Sequence, residues 1–239
     1  MINLDTMELG NTIFLNELEN FLIPDRGVPT YSPLERDTVL KHIEKYFGNS
    51  AVMIDDEDAN LMKIDLQIIQ PTKERPFYTA VTVGMGSMLM NVPRSIANGS
   101  LSRAELMITL PKDWKIASNA RRWKWPFAFM ENIARIPLIE NSWFSVGHII
   151  PIRRSVSENT KLSGFILLEP QESSIQSHKC LLHDGSEVNF YQLIPLYDEE
   201  IEYESRYGFE ALLDRMADVS HIVDVDRLNT CVEISSIVQ

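Results

Sequence analysis

The spacing of apolar side chains along the chain predicts helices at both ends and in the middle. Over Thr12–Leu22, Phe14, Leu15, Leu18, Phe21 and Leu22 fall on one helical stripe that ends before Pro24. A second helix is bracketed by local chemistry. Ser32 and Glu35 fit a capping box, Pro33 takes the first helical position, and Gly48 follows the last turn. Its apolar stripe is Val39, Leu40, Ile43, Tyr46 and Phe47. Farther on, Pro126 opens a helix lined by Phe129, Met130, Ile133 and Ile136, and Pro137 stops it. Tyr197–Met216 reads as an acidic helix interrupted at Gly208, with Phe209, Leu212, Leu213 and Met216 packing its second half.

Strands fill the intervals. Ala51–Ile54 runs into the acidic turn Asp55-Asp56-Glu57-Asp58, and Leu61–Ile69 then alternates apolar and polar residues before Pro71. Phe77–Val83 is a β-branched run ending at Gly84, and Glu105–Leu110 is stopped by Pro111. Lys161–Leu168 and Val188–Leu196 read as two further strands, joined by a polar loop through His178, His183, Asp184 and Gly185. Short consecutive strands joined by turns predict neighbouring antiparallel pairs. No repeat, low-complexity tract or composition break divides the chain, so a single domain is the simplest account.

Composition then sets limits. Of 239 residues, 44% are hydrophobic and 23% charged, enough for a real core. The two cysteines, Cys180 and Cys231, are too few for a disulfide framework and lack the paired spacing of a zinc site. The opening MINLDTMELG has no basic run leading into an apolar stretch, and no window approaches about 18 uninterrupted apolar residues. A cytoplasmic protein with no membrane association is therefore expected. The formal charge of −12 argues against nucleic-acid binding, and its distribution is uneven. Residues 1–70 carry −8, residues 71–160 carry +6, and residues 161–239 carry −10. Focused negative patches steer basic proteins toward a surface.

Few segments suggest chemistry. Gly84-Met85-Gly86-Ser87-Met88-Leu89-Met90-Asn91-Val92-Pro93 follows a strand but lacks the glycine and lysine pattern of a phosphate loop. Met85, Met88 and Met90 either plug the edge of the core or form an adaptable apolar surface for a partner. Arg121-Arg122-Trp123-Lys124-Trp125 interleaves bases and aromatics; it either contacts phosphates or leads into the Pro126 helix with its bases solvated and Trp125 as a staple. Candidate nucleophiles (Cys180 and several serines) and bases (His148, His178, His183, His221) lie in no nucleophile elbow. Asp55–Asp58 lacks the glycine and terminal glutamate of a calcium loop. No catalytic residue, metal site or cofactor is expected.

Several short motifs in order make the chain resemble the suppressor of fused family, in its compact bacterial form, over roughly Tyr31–Cys231. They include Ile68-Ile69-Gln70-Pro71-Thr72, Glu74-Arg75-Pro76 and Tyr78-Thr79, then Val81-Thr82-Val83-Gly84-Met85 with Met90-Asn91-Val92-Pro93. Ala104-Glu105-Leu106, Leu110-Pro111 and Trp114 follow, with Trp125-Pro126, Ile133-Ala134-Arg135, Asn141-Ser142-Trp143 and Gly147-His148. Leu193-Ile194-Pro195-Leu196-Tyr197 with Glu199-Glu200 closes the set. Where this chain reads Val83-Gly84-Met85-Gly86-Ser87, the family more often has Ser-Gly-Met-Ser-Asp. The resemblance implies an α+β fold, a mixed and mostly antiparallel twisted sheet flanked by helices. It spans residues 31–239, and residues 1–30 form a helical extension.

The resemblance also implies a protein-binding role with no enzyme activity. Bacterial members suggest an immunity protein that neutralises a toxin encoded by a neighbouring gene. Asp55, Asp56, Asp58, Asp198, Glu199 and Glu200 would then meet a basic toxin, with Met85, Met88 and Met90 as apolar anchors. Gly84, Glu105, Trp125, Pro126, Asn141, Trp143, Gly147 and His148 match family motifs, and each also has an ordinary packing or turn role open to it. Two other readings stand beside this one. The first is a regulatory module that captures a peptide as an added strand at a sheet edge; the second is an enzyme with a site around His148 and Trp143.

Overall fold

The computed structural model describes residues 28–54, 62–96, 100–171 and 173–232. The helix read over Thr12–Leu22, residues 1–27 of the extension it defines and the acidic turn Asp55–Asp58 lie outside the described residues.

Helix α1 (Pro33–Phe47) begins as its sequence dictates: Glu35 N donates to Ser32 Oγ at 3.2 Å and Ser32 N donates to Glu35 Oε2 at 2.8 Å. Gly48 N donates to Ile43 O at the other end. Val39, Ile43 and Phe47, four residues apart, are the buried stripe, with Leu40 and Tyr46 at its margin.

Among the described residues eight strands form one sheet: β1 (Ser50–Ile54), β2 (Asp65–Ile69), β3 (Phe77–Val83), β4 (Arg103–Pro111), β5 (Ile149–Pro151), β6 (Gly164–Leu168), β7 (Lys179–Leu181) and β8 (Glu187–Leu196). Their order is β1-β2-β3-β4-β8-β6-β5, with β7 beside the first residues of β8. Each neighbouring pair is antiparallel except β4–β8, which runs parallel from Arg103↔Val188 to Met107↔Gln192. Beyond that seam the C-terminal segment takes over, with Val223 N donating to Thr109 O.

Alternation along β4 shows how the sheet is covered. Ala104, Leu106, Ile108 and Leu110 pack in a cluster with helix α2 (Arg121–Ile139), whereas Met107 packs with α1. Helices α3 (Asp198–Tyr207) and α4 (Phe209–Arg215), split at Gly208, follow β8. Leu212 and Met216 pack on Ile166, Ile194 and Leu196. The architecture is α+β, with a mixed, mostly antiparallel sheet between helical layers.

Coverage on both faces corrects the reading of Leu61–Ile69. Only Asp65–Ile69 is strand, and all five of its residues are buried. Asp65 is tolerated there because Arg36 and Lys63 approach its oxygens at 2.8 and 3.2 Å. The prolines of α2 correct a second expectation. The helix starts at Arg121 and ends at Ile139, so Pro126 and Pro137 lie inside it rather than at its ends. An interior proline costs about 3 kcal/mol, whereas each large side chain buried in the core contributes about 1.5–3 kcal/mol. Trp125, Phe129, Met130, Ile133 and Ile136 are all buried along this helix, so packing wins. Strands β5 and β7 have three residues each, too short for a periodic signal to reveal.

Leu106 is fully buried between β3, β8 and α2. Leu106→Ala should lower unfolding free energy in urea by about 2–5 kcal/mol with an unchanged m-value.

Candidate protein-binding surface

The loop that follows β3 is positioned by one buried side chain. Glu105, on β4 and fully buried, accepts hydrogen bonds from Tyr31 Oη (2.8 Å), Thr82 Oγ1 (2.6 Å), Gly84 N (3.0 Å) and Gly86 N (3.1 Å). The β3–β4 register ends at Val81↔Met107, and Leu106 N turns to Thr82 Oγ1 instead. The carboxylate thus fills the place where the two strands part. Burial pushes its pKa up to about 7, and the four donors only partly counter that. Gly84 sits at φ +143, where an added Cβ would lie 2.1 Å from Lys63 O, and a Cβ on Gly86 would lie 2.1 Å from Tyr31 Oη. Both positions need glycine because the chain passes so close to its neighbours.

From this anchor Met85–Ser87 makes a single 3₁₀ turn that directs Met85 inward. Met85 and Met90 are core residues and Met88 is half-buried, so the first two present no surface to a partner. The exposed apolar side chain of this loop is Leu89, 63% accessible, with Ile96 farther along. A second loop is tied to the first: Asn91 N donates to Ser142 O at 3.0 Å and Asn91 Nδ2 to Asn141 O at 3.1 Å. Asn141 takes φ +49 just after α2, and Gly147 N donates to Leu167 O. Between them Val146 is exposed and Trp143 half-buried. Nothing in the sequence distinguishes Leu89, Ile96 and Val146 from core residues; their exposure is decided by the fold.

The acidic start of α3 divides. Asp198 and Glu199 are exposed, accepting from Ser163 Oγ (2.6 Å) and Asn229 Nδ2 (2.7 Å). Glu200 is fully buried and is a structural residue rather than part of a solvated patch. It accepts from Arg227 Nη1 at 2.7 Å, from Thr230 N and Oγ1, and from Tyr197 N. Burial alone would raise its pKa, but the Arg227 guanidinium outweighs that and holds it below the ordinary value. Asp55, Asp56 and Asp58 lie outside the described residues.

Trp125 and Pro126 are buried inside α2, Trp125 against Trp114, Phe129 and Phe165. His148 is half-buried with its ring 4.7 Å from that of Trp143, and burial lowers its pKa, opposed in part by the Trp143 backbone. Its ring makes no ion pair among the described residues. The Cys180 thiol is pushed up to about 11 by burial, then by Glu105, so it stays protonated at neutral pH. His178 instead faces Glu169 at 3.5 Å. Among the described residues no group of three or more His, Cys, Asp or Glu could hold a metal, and no helix is long and apolar enough to cross a membrane. A cleft of about 280 Å³ beside Gly84 is lined by Thr30, Tyr31, Arg36, Lys63 and Asp65, below the usual size of a small-molecule site.

The family model for suppressor of fused protein matches residues 61–228 of the chain. An uncharacterized protein of Ureaplasma parvum is 24% identical over 202 residues, 82% of this chain and 96% of that protein. A suppressor of fused homologue from Neisseria gonorrhoeae shares the fold with TM-score 0.57 at 18% identity, covering 83% of this chain and 98% of that one. The structure of the Sufu–Fu complex gives TM-score 0.58 at 15% identity, covering 84% of this chain and 93% of that one. Drosophila Suppressor of Fused gives 0.59 at 15% identity, covering 84% of this chain and 52% of that one.

Because Glu105 holds its proton to a higher pH in the folded protein than in the unfolded chain, its contribution to stability falls as pH rises from about 4.5 to about 7. The change across that window is of order 3 kcal/mol. Denaturant titrations at stepped pH should show this decline, and Glu105→Gln should flatten it.

Proposed function

This chain belongs to the suppressor of fused family, and we propose that it is a non-enzymatic protein-binding domain serving as an immunity protein that neutralises a toxin. The observation that carries the protein-binding reading is the set of exposed apolar side chains on two mutually bonded loops, Leu89, Ile96 and Val146, with Met88 and Trp143 of the same loops half-buried against the core. Exposed apolar side chains on loops tied to one another suit an interface, because less loop entropy remains to be lost on binding. The Sufu–Fu complex shows the fold in a structure with a protein partner.

The toxin reading rests on charge. Asp198 and Glu199 present carboxylates on α3 in a chain of net charge −12, a surface that attracts a basic protein from beyond contact distance. Glu200, already neutralised by Arg227, takes no part in that attraction. A second reading, strand addition, is favoured by β1, which pairs only with β2 among the described strands. The irregular register between Ser50 and Val52 works against it, since a bulge twists an edge away from a newcomer.

Co-expression with a toxin encoded beside the gene is the direct test. The wild-type chain should protect cells, and Leu89→Asp should abolish protection, weakening the complex by about 30-fold or more as an anchor residue would. Asp198→Lys with Glu199→Lys should slow association about tenfold at low salt and have little effect at high salt. Turnover of a small molecule that disappears in His148→Ala would instead establish an enzyme.

A further inference from the structure

The most basic stretch of this acidic chain is gathered on one small face. Residues 112–124 hold five cations and one acid, against −12 for the whole. Lys112, Lys115, Arg121, Arg122 and Lys124 are all exposed, and none has an ion-pair partner among the described residues. Solubility does not require them, since the surface already carries a large excess of the opposite sign.

Three of these cations stand where they cost stability. Arg121, Arg122 and Lys124 occupy the first turn of α2, at the positive end of its dipole, where acids are favoured. The cap residue is Ala120, which supplies no side-chain acceptor, and the first turn holds no acid. The neighbouring α1 and α3 both carry acids in their first turns. A helix start that breaks the capping and charge rules together marks a place where function has overridden local stability.

An aromatic pedestal holds the face in place. Trp123 is half-buried, with Lys115 Nζ 5.6 Å and the Arg122 guanidinium 5.5 Å from its ring centre. Trp114 packs edge-on against Trp123 with ring centres 5.0 Å apart and donates its indole N–H to Trp123 O at 2.9 Å. Trp114 is itself buried in the main core. Two of the cations, Lys115 and Arg122, are therefore pre-positioned around a half-buried indole that is itself packed on the core.

We propose that this face, formed by the turn after β4 and the first turn of α2, is a docking surface for an acidic segment of a partner protein. Carboxylates of the segment would meet Arg121, Arg122 and Lys124 and the open N–H groups of the helix, and its apolar atoms would rest on Trp123. A protein segment is favoured over nucleic acid by size and surroundings. A short peptide touches only this face, within about one Debye length, roughly 8 Å at physiological salt. A nucleic acid would carry a line of phosphates past the acidic remainder of the chain.

Fluorescence anisotropy of a labelled Asp/Glu-rich peptide, titrated with the full chain, tests this directly. Saturable binding that weakens with salt is expected. Arg121→Glu with Arg122→Glu should reduce affinity about tenfold or more, whereas Arg206→Glu on α3 should leave it unchanged. The same double reversal should raise Tm by about 2–4 °C, because it relieves the repulsion at the helix start. Lost binding together with higher stability cannot be explained by misfolding. Peptide binding indifferent to the reversal, tighter binding of a single-stranded oligonucleotide through the same arginines, or a fall in Tm would each overturn the proposal.

Discussion

A carboxylate without a cation, sealed between β3 and β4, sets the geometry on which the surface depends. Glu105 gathers donors from Tyr31 ahead of α1, from Thr82 on β3, and from Gly84 and Gly86 in the turn. Removing the acceptor would leave four donors without their partner, at about 1–3 kcal/mol for each one that stays buried. The turn would then lose the tight path that sends Met85 into the core and Leu89 into solvent. Core packing and the presentation of the exposed loop are in this way one structural problem with one solution.

What could be read in advance follows the range of the interactions. The capping box of α1 and the break at Gly208 depend on residues three or four apart, and both were visible in the chain. Glu105 draws on partners 19 to 74 residues away, so nothing near it in sequence announces its role. Glu200 looked like one acid among several, and its burial is decided by Arg227, 27 positions later. The methionines drew attention by composition, but inward or outward direction is set by the 3₁₀ turn, which has no strong sequence pattern. The prolines of α2 read as boundaries in the sequence because local rules weigh backbone strain and cannot weigh the burial that offsets it.

Charge and shape are divided among different parts of the molecule. Several polar groups in the core sit against a charge or a hydrogen-bond partner, as with Asp65 between Arg36 and Lys63 or Gln192, whose Nε2 donates to Thr109 Oγ1 at 3.0 Å. The surface leaves others exposed: acids at the start of α3, bases at the start of α2, apolar side chains on the two joined loops. Such separation suits a domain that meets partners through several distinct contacts, each with its own salt dependence.

The parallel seam between β4 and β8 also matters while the chain is being made. The run β1 to β4 is a meander of neighbours and can assemble as soon as it leaves the ribosome, but the outer edge of β4 must wait for a strand about 85 residues farther on, the separation of Arg103 from Val188. Until then an apolar strand edge stands open to any other nascent chain. Bridging that distance also makes the seam a late and slow contact in refolding. The joint that unifies the sheet is therefore the point at which its synthesis is most exposed to aggregation.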